Sequence, residues 1–181
     1  MAIVPDTKVW TWVLERPCPE CAFESSRVPS REIPERIRAN ARFWVGVLSG
    51  DPAGIVHRTR EDRWSTLEYG CHVRDVFRVV DGRLNLMLTQ DDPQYQNWDQ
   101  DSTALDERYE EQDPATVAAE LTEAAETLAT DFESVEGTAW QRPGTRSDGA
   151  RFTVETLGQY MLHDVVHHVG DVKRDLATST T

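Results

Sequence analysis

Apolar residues recur at three- and four-residue steps in four stretches of the chain, a spacing that predicts amphipathic helices. The stretches cover about residues 33–48, 66–89, 114–135 and 155–176. The predicted inner faces consist of Ile37, Ala41, Trp44 (or Val45) and Leu48; Tyr69, Val73, Val76, Val80, Leu84 and Met87; Val117, Leu121, Ala124, Leu128, Phe132 and Val135; and Val154, Leu157, Met161, Val165, Val169, Val172 and Leu176. Four helices with one long connection predict an all-α, four-helix bundle.

Residues that cap helices stand at the predicted helix starts. Ser65 with Glu68 forms a capping-box pattern before the second helix, and Asp113 followed by Pro114 opens the third. Ser30 is the predicted cap of the first helix. These signals place the boundaries independently of the apolar pattern.

The segments between the helices are polar and rich in turn-forming residues. Residues 1–30 are predicted to be an irregular N-terminal extension, with a short extended piece over residues 9–13. Residues 140–150 favour a turn-rich connection with a short hairpin that reaches Phe152. We expect one domain over residues 1–181.

The connection over residues 90–112 is long for a compact domain, and such loops often have a function. One interpretation is that its polar and aromatic residues close over a pocket. The other is a solvated acidic crossover between two helices. The residues concerned are Tyr95, Asn97, Trp98, Asp99 and Asp101.

Composition limits the kinds of partner. The 181 residues have a net charge of −13, which disfavours binding to nucleic acids and to anionic membranes. No apolar run approaches the roughly 20 residues that span a bilayer, and no signal peptide is visible. Three cysteines in a chain of this size do not indicate a disulfide scaffold, so a cytoplasmic setting is expected.

Cys18 and Cys21 form a C-x-x-C pair between prolines. Such a pair is half of a zinc site, a redox motif, or two structural thiols in a loop. The sequence contains no second C-x-x-C, and all three interpretations stay open.

The stretch over residues 160–171 contains three of the five histidines. His163 and His167 are four residues apart and lie on one face of a helix, where two imidazoles can bind one metal ion. His168 points about 100° away, by the helical period. The alternative is a hydrogen-bonded histidine pair without a metal.

His72 lies beside the apolar face of the second predicted helix, where it is either a core residue or a third ligand. With His163 and His167 it would complete a three-imidazole site with an open position, as in catalytic zinc sites. Asp164 or Asp75 would then hydrogen-bond a ligand, and the Tyr160 hydroxyl would donate to a substrate.

The residues around His72 (67–76) and around His163 and His167 (160–172) resemble those of the DinB-like superfamily, which includes mycothiol-dependent maleylpyruvate isomerases and bacillithiol transferases. The resemblance covers about residues 31–176. It implies an up-up-down-down bundle, a divalent metal on His72, His163 and His167, and often a homodimer.

These observations favour a metal-dependent enzyme, with zinc or nickel as the expected ion. The resemblance implies that a low-molecular-weight thiol of the mycothiol type attacks a small electrophile, with Tyr160 and Asp164 as candidate catalytic residues. Arg74 and Arg174 are candidates for binding such a thiol, or are solvated surface residues. The alternatives are a metal-dependent hydrolase, a non-enzymatic metal-binding stress-response protein, and a bundle without metal.

Overall fold

A computed structural model describes residues 10–178 and is mostly helical. Residues 1–9 of the predicted N-terminal extension lie outside the described residues. The α-helices of the described part are α1 (Ile33–Leu48), α2 (Pro52–Val56), α3 (Thr66–Thr89), α4 (Gln100–Asp106), α5 (Pro114–Glu133) and α6 (Val154–Thr178).

The four long helices form the bundle that the apolar pattern predicts. Helix α5 packs against α1 and α3, while α6 packs against the opposite sides of the same two helices. The order around the bundle is therefore α1, α5, α3, α6. The largest fully buried side chains lie between them: Ile33, Ile37, Trp44, Leu67, Phe77, Leu84, Met87, Leu121, Leu128, Phe132 and Leu157, with Tyr109 from the crossover segment.

Two of the predicted caps are confirmed and one is wrong. Ser65 Oγ accepts from the Glu68 N–H at 3.2 Å, and the Glu68 carboxylate accepts from the Ser65 N–H at 2.7 Å. Asp113 accepts from the Thr116 N–H at 2.8 Å. Ser30 does not cap α1, because it begins a 3-10 turn (Ser30–Glu32) that runs directly into the helix.

The crossover between α3 and α5 is more ordered than the sequence indicates. It contains α4, a 3-10 turn (Tyr109–Glu111) and a short strand, β1 (Gln94–Tyr95). Strand β1 pairs in parallel with β2 (Pro143–Arg146), which forms the predicted hairpin with β3 (Arg151–Thr153). Gly144 lets these strands approach α3, because a Cβ there would lie 2.7 Å from the Met87 side chain.

A buried polar network fixes the end of the crossover to α3. The Tyr109 hydroxyl donates to Asp75 at 2.6 Å, and Arg74 forms an ion pair with the same carboxylate at 2.9 Å. Arg74 also contacts Glu120 at 2.8 Å. Burial raises the pKa of Asp75, but the bonds from Arg74 and Tyr109 outweigh it and lower that pKa below its usual value.

The N-terminal segment lies along α6. Its first element is a 3-10 helix (Trp10–Leu14). The prediction of an extended segment over residues 9–13 is therefore wrong for residues 10–13, and residue 9 lies outside the described residues. Ser25 Oγ donates to Val13 O at 2.6 Å, and Gln159 of α6 donates to Val28 O at 2.9 Å. Among the described residues, none of the helices has the length and apolar content that crossing a membrane requires.

Candidate metal centre

A cavity of about 640 Å³ opens between α3, α6, the crossover and the N-terminal segment. Its walls combine aromatic rings with carboxylates and guanidinium groups. Asn97, Trp98, Asp99, Gln100 and Asp101 line one side, so the crossover does close over a pocket, although Tyr95 is buried elsewhere. Three of the five histidines also line it, at the α6 wall: His163, His167 and His168.

A first cluster of metal-binding side chains consists of His72 from α3 with Asp164 and His168 from α6. Their ligand atoms all lie within 4.8 Å of one another. Asp164 lies between the two rings, because His72 Nε2 is 3.3 Å from its Oδ2 and His168 Nε2 is 3.4 Å from its Oδ1. Asp164 and His168 converge because they are four residues apart on one helical face.

Charge in this cluster favours a cation. Burial raises the pKa of Asp164, but its bonds with His168 and His72 outweigh this and hold it well below its usual value. Burial lowers the pKa of His168, yet Asp164 and Asp171 raise it to about 9. The carboxylates stabilise a positive charge on protonated His168. A metal ion can supply that positive charge instead, because it binds the neutral imidazole and displaces the proton.

The donor set fits a divalent transition metal. His168 Nδ1 lies 3.1 Å from Asp171 Oδ2, so a carboxylate orients the ring and leaves Nε2 towards Asp164. The His72 ring is fully buried, and Trp98 stacks on it with ring centres 5.4 Å apart. Two imidazoles and one carboxylate are ligands that zinc uses in catalytic sites.

A second cluster joins the N-terminal segment to α6. Ligand atoms of Cys18, Cys21, His163 and His167 all lie within 4.8 Å of one another. Cys18 Sγ is 3.8 Å from His167 Nδ1. Burial lowers the pKa of His163 to about 4 and also lowers that of His167, so both rings are neutral at physiological pH.

The predicted set of His72, His163 and His167 is therefore divided between two clusters. Among the residues that the structure describes, neither group of mutually close ligand atoms contains both His72 and the His163/His167 pair. The physical reason is the helical period: His163 and His167 face the N-terminal segment, whereas the face with Asp164 and His168 is turned towards α3.

Sequence reasoning missed His168 and Asp171 and assigned Asp164 only a supporting role. The sequence does contain a signal for this ligand pair, because Asp164 and His168 have the same four-residue spacing as His163 and His167. A search limited to histidines overlooks a site in which one ligand is a carboxylate. Asp75, the other predicted partner of a ligand, instead pairs with Arg74 and Tyr109.

Other residues of the cavity carry positive charge and a hydroxyl. Arg146 and Arg83 line the wall, with Arg146 paired to Asp148 at 2.8 Å. Tyr160 also lines the cavity, where burial raises its pKa. The predicted thiol-binding arginines are not among the residues that line the cavity: Arg74 is buried with Asp75, and Arg174 donates to Asp171 at 2.5 Å.

Comparisons with known proteins agree with this architecture. A family model described as the DinB superfamily matches residues 35–172. The chain is similar in structure to YfiT from Bacillus subtilis, described as a probable metal-dependent hydrolase with an unusual four-helix bundle topology. That similarity has a TM-score of 0.64 at 18% identity and covers 96% of this chain and 93% of the other. No curated protein sequence gives a significant match.

Proposed function

Because the chain belongs to the DinB superfamily, we propose that it is a divalent-metal-dependent enzyme in which a low-molecular-weight thiol attacks a small electrophile. The observation that supports this best is the convergence of His72, Asp164 and His168 beside a cavity of about 640 Å³, which Asp164 and His168 line. Three protein ligands leave a coordination position for a small molecule, as in catalytic zinc sites.

The bound ion supplies acidity: a thiol or a water molecule that coordinates it has a pKa lowered towards neutrality. Zinc fits the ligand set best, and nickel is the second choice because imidazole suits both ions. The protein's contribution is to hold the ligands. Asp171 fixes the His168 ring, and the fully buried His72 is held against Trp98, whose indole N–H donates to Thr103 at 2.8 Å.

The cavity walls are suited to a polar thiol and an anionic electrophile. Arg83 provides positive charge in the cavity wall, where a substrate carboxylate would bind, and Arg146 would contribute by exchanging its ion pair with Asp148 for the substrate. The Tyr160 hydroxyl would donate a hydrogen bond to the substrate, since Tyr160 lines the same cavity as Asp164. Asp62, Asp99 and Asp101 offer acceptors to the hydroxyl groups of a sugar-containing thiol such as mycothiol.

Hydrolysis is the second candidate reaction. The same ligand set can activate water, and the structural relative YfiT is described as a probable metal-dependent hydrolase. The two reactions differ in whether a thiol is consumed. A non-enzymatic metal-binding role predicts metal binding without either reaction.

The test is an assay of the purified chain loaded in turn with zinc and nickel. Thiol consumption is measured with mycothiol, bacillithiol and glutathione against small electrophiles, and hydrolysis is measured with ester and amide substrates. We expect metal-dependent loss of thiol, reduced more than about 100-fold in His168→Ala. His57→Ala is the matched control, because His57 is exposed and belongs to neither cluster.

Two outcomes would overturn the proposal. One is turnover of ester or amide with no thiol requirement, which would support the hydrolase. The other is metal binding that is lost in His168→Ala without any reaction in the parent protein, which would support the non-enzymatic role.

A further inference from the structure

The second cluster combines two sequence motifs that are far apart. Cys18-x-x-Cys21 provides two sulfurs and His163-x-x-x-His167 provides two nitrogens, the spacings found in Cys₂His₂ zinc sites. We propose that these four residues form a structural zinc site that fastens the N-terminal segment to α6. This site is separate from His72, Asp164 and His168.

The spacing of the four ligand atoms is compatible with a tetrahedral site. With Zn–S near 2.3 Å and Zn–N near 2.0–2.1 Å, tetrahedral ligand atoms are separated by about 3.4–3.8 Å. The observed 3.8 Å between Cys18 Sγ and His167 Nδ1 is close to the roughly 3.6 Å expected for a sulfur–nitrogen pair. All pairs lie within 4.8 Å, so small side-chain rotations complete the site.

The C-x-x-C loop is folded to present both sulfurs on one side. The Ala22 N–H donates to Cys18 O at 2.8 Å, and the Cys18 N–H donates to Phe23 O at 2.9 Å. Ala22 has a φ of 59°, a left-handed conformation that closes the turn despite its cost for a residue other than glycine. Burial raises the pKa of the Cys21 thiol to about 11, and the hydrogen bond that its sulfur accepts from the Phe23 N–H only partly offsets this.

The histidines show two further signs of a ligand. His163 is 3% exposed, and its Nε2 has no hydrogen-bond partner among the described residues. A buried nitrogen without a partner costs about 1–3 kcal/mol, which coordination would offset. His167 directs Nδ1 to Cys18, while its Nε2 lies 3.5 Å from a carboxylate oxygen of Glu20, the kind of partner that a metal-bound imidazole has.

Four protein ligands leave no coordination position for a substrate, so the ion has a structural role. Its binding would displace the protons of both thiols. The segment that it fastens contributes Trp10 and Glu20 to the cavity wall. The zinc therefore positions one wall of the candidate active site without taking part in the reaction.

The test uses the full chain, purified without added metal chelators. Elemental analysis should find one zinc per chain that persists in His72→Ala and is lost in Cys18→Ser and Cys21→Ser. Cys71→Ser is the matched control, because this third cysteine is fully buried and its thiol faces Tyr109 O and Gln112. It should keep the zinc.

A spectroscopic measurement covers the case in which the cysteine variants fail to fold. X-ray absorption of zinc in the His72→Ala protein should show two sulfur neighbours at about 2.3 Å and two nitrogens at about 2.0–2.1 Å. Zinc with only nitrogen and oxygen neighbours would overturn the proposal. So would a Cys18–Cys21 disulfide in protein purified under anaerobic conditions, or zinc content unchanged in Cys18→Ser.

Discussion

Cys18 Sγ lies 3.8 Å from His167 Nδ1, although 149 residues separate them in the chain. The contact brings an irregular segment against the last helix of the bundle. It also joins the Cys18-x-x-Cys21 motif to the His163-x-x-x-His167 motif. Each motif supplies two ligands of a four-ligand set. The stability of the N-terminal segment should therefore depend on metal.

The left-handed backbone of Ala22 gives a first prediction. Ala22→Gly should stabilise the zinc-loaded protein by about 0.5–1 kcal/mol, because glycine adopts a φ of 59° without the steric cost of a Cβ. Urea unfolding measures the change. Ala53→Gly in helix α2 should destabilise by about 1 kcal/mol. Equal effects of the two substitutions would contradict the role of the turn.

Asp171 Oδ2 lies 3.1 Å from His168 Nδ1, a hydrogen-bond distance, and 4.0 Å from His167 Nε2, so it orients one ring and places negative charge near both candidate sites. Asp171→Asn should weaken metal binding about 10–100-fold at the site of His72, Asp164 and His168, because the carboxylate no longer orients and polarises the His168 ring. The effect at the second cluster should be smaller, because Asp171 is not hydrogen-bonded to His167. Competition with a chromophoric chelator measures both affinities. Asp106→Asn, at an exposed position, serves as the control and should change neither.

Two buried tyrosines form a matched pair of substitutions. Tyr109→Phe should destabilise the protein by about 1–3 kcal/mol, because Asp75 loses a hydrogen bond of 2.6 Å inside the bundle. Tyr95→Phe should be close to neutral, since the Tyr95 hydroxyl is buried without a hydrogen-bond partner among the described residues. Chemical denaturation compares them, and a larger loss in Tyr95→Phe would refute the argument.

Asp81 of α3 and Asp131 of α5 give a pH-dependent prediction. Burial, together with the neighbouring Asp131, raises the pKa of Asp81 from 3.8 to about 6. The folded protein thus binds this proton more tightly than the unfolded chain, and the group destabilises progressively as pH rises from 3.8 to about 6.

Asp81→Asn removes that cost. Because the side chain is partly exposed, the gain at pH 7 should be about 1 kcal/mol, and it should shrink towards zero below pH 4. Unfolding at pH 4 and pH 7 tests this against Asp106→Asn. A gain that is the same at both pH values would mean that the carboxyl pair does not titrate in this window.

The helices could be predicted because their signals are local. The apolar steps, the Ser65–Glu68 capping box and Asp113 fix α3 and α5 within the chain itself. The site could be predicted only in part. His163 and His167 were found by their spacing, but their partners were not, since Cys18 and Cys21 reach them through tertiary packing that periodicity does not contain.

The grouping of His72 with His163 and His167 differs from the clusters in the structure for a different physical reason. Three histidines on two helices suggested one ion, but rotation along α6 separates adjacent residues by about 100°. Asp164 and His168 therefore occupy the face towards His72. Strand β1 was missed because its pairing partner, β2, lies in another part of the sequence.

The shared carboxylate of Asp171 makes the occupancy of the two clusters interdependent. A metal ion in either cluster is attracted by the same carboxylate. Binding of an ion to one cluster should therefore alter the metal affinity of the other cluster. Thermodynamic linkage requires this change to be the same factor in both directions. Metal titration of one cluster before and after the other is loaded would measure this factor. A value of one would mean that the two sites bind their ions independently.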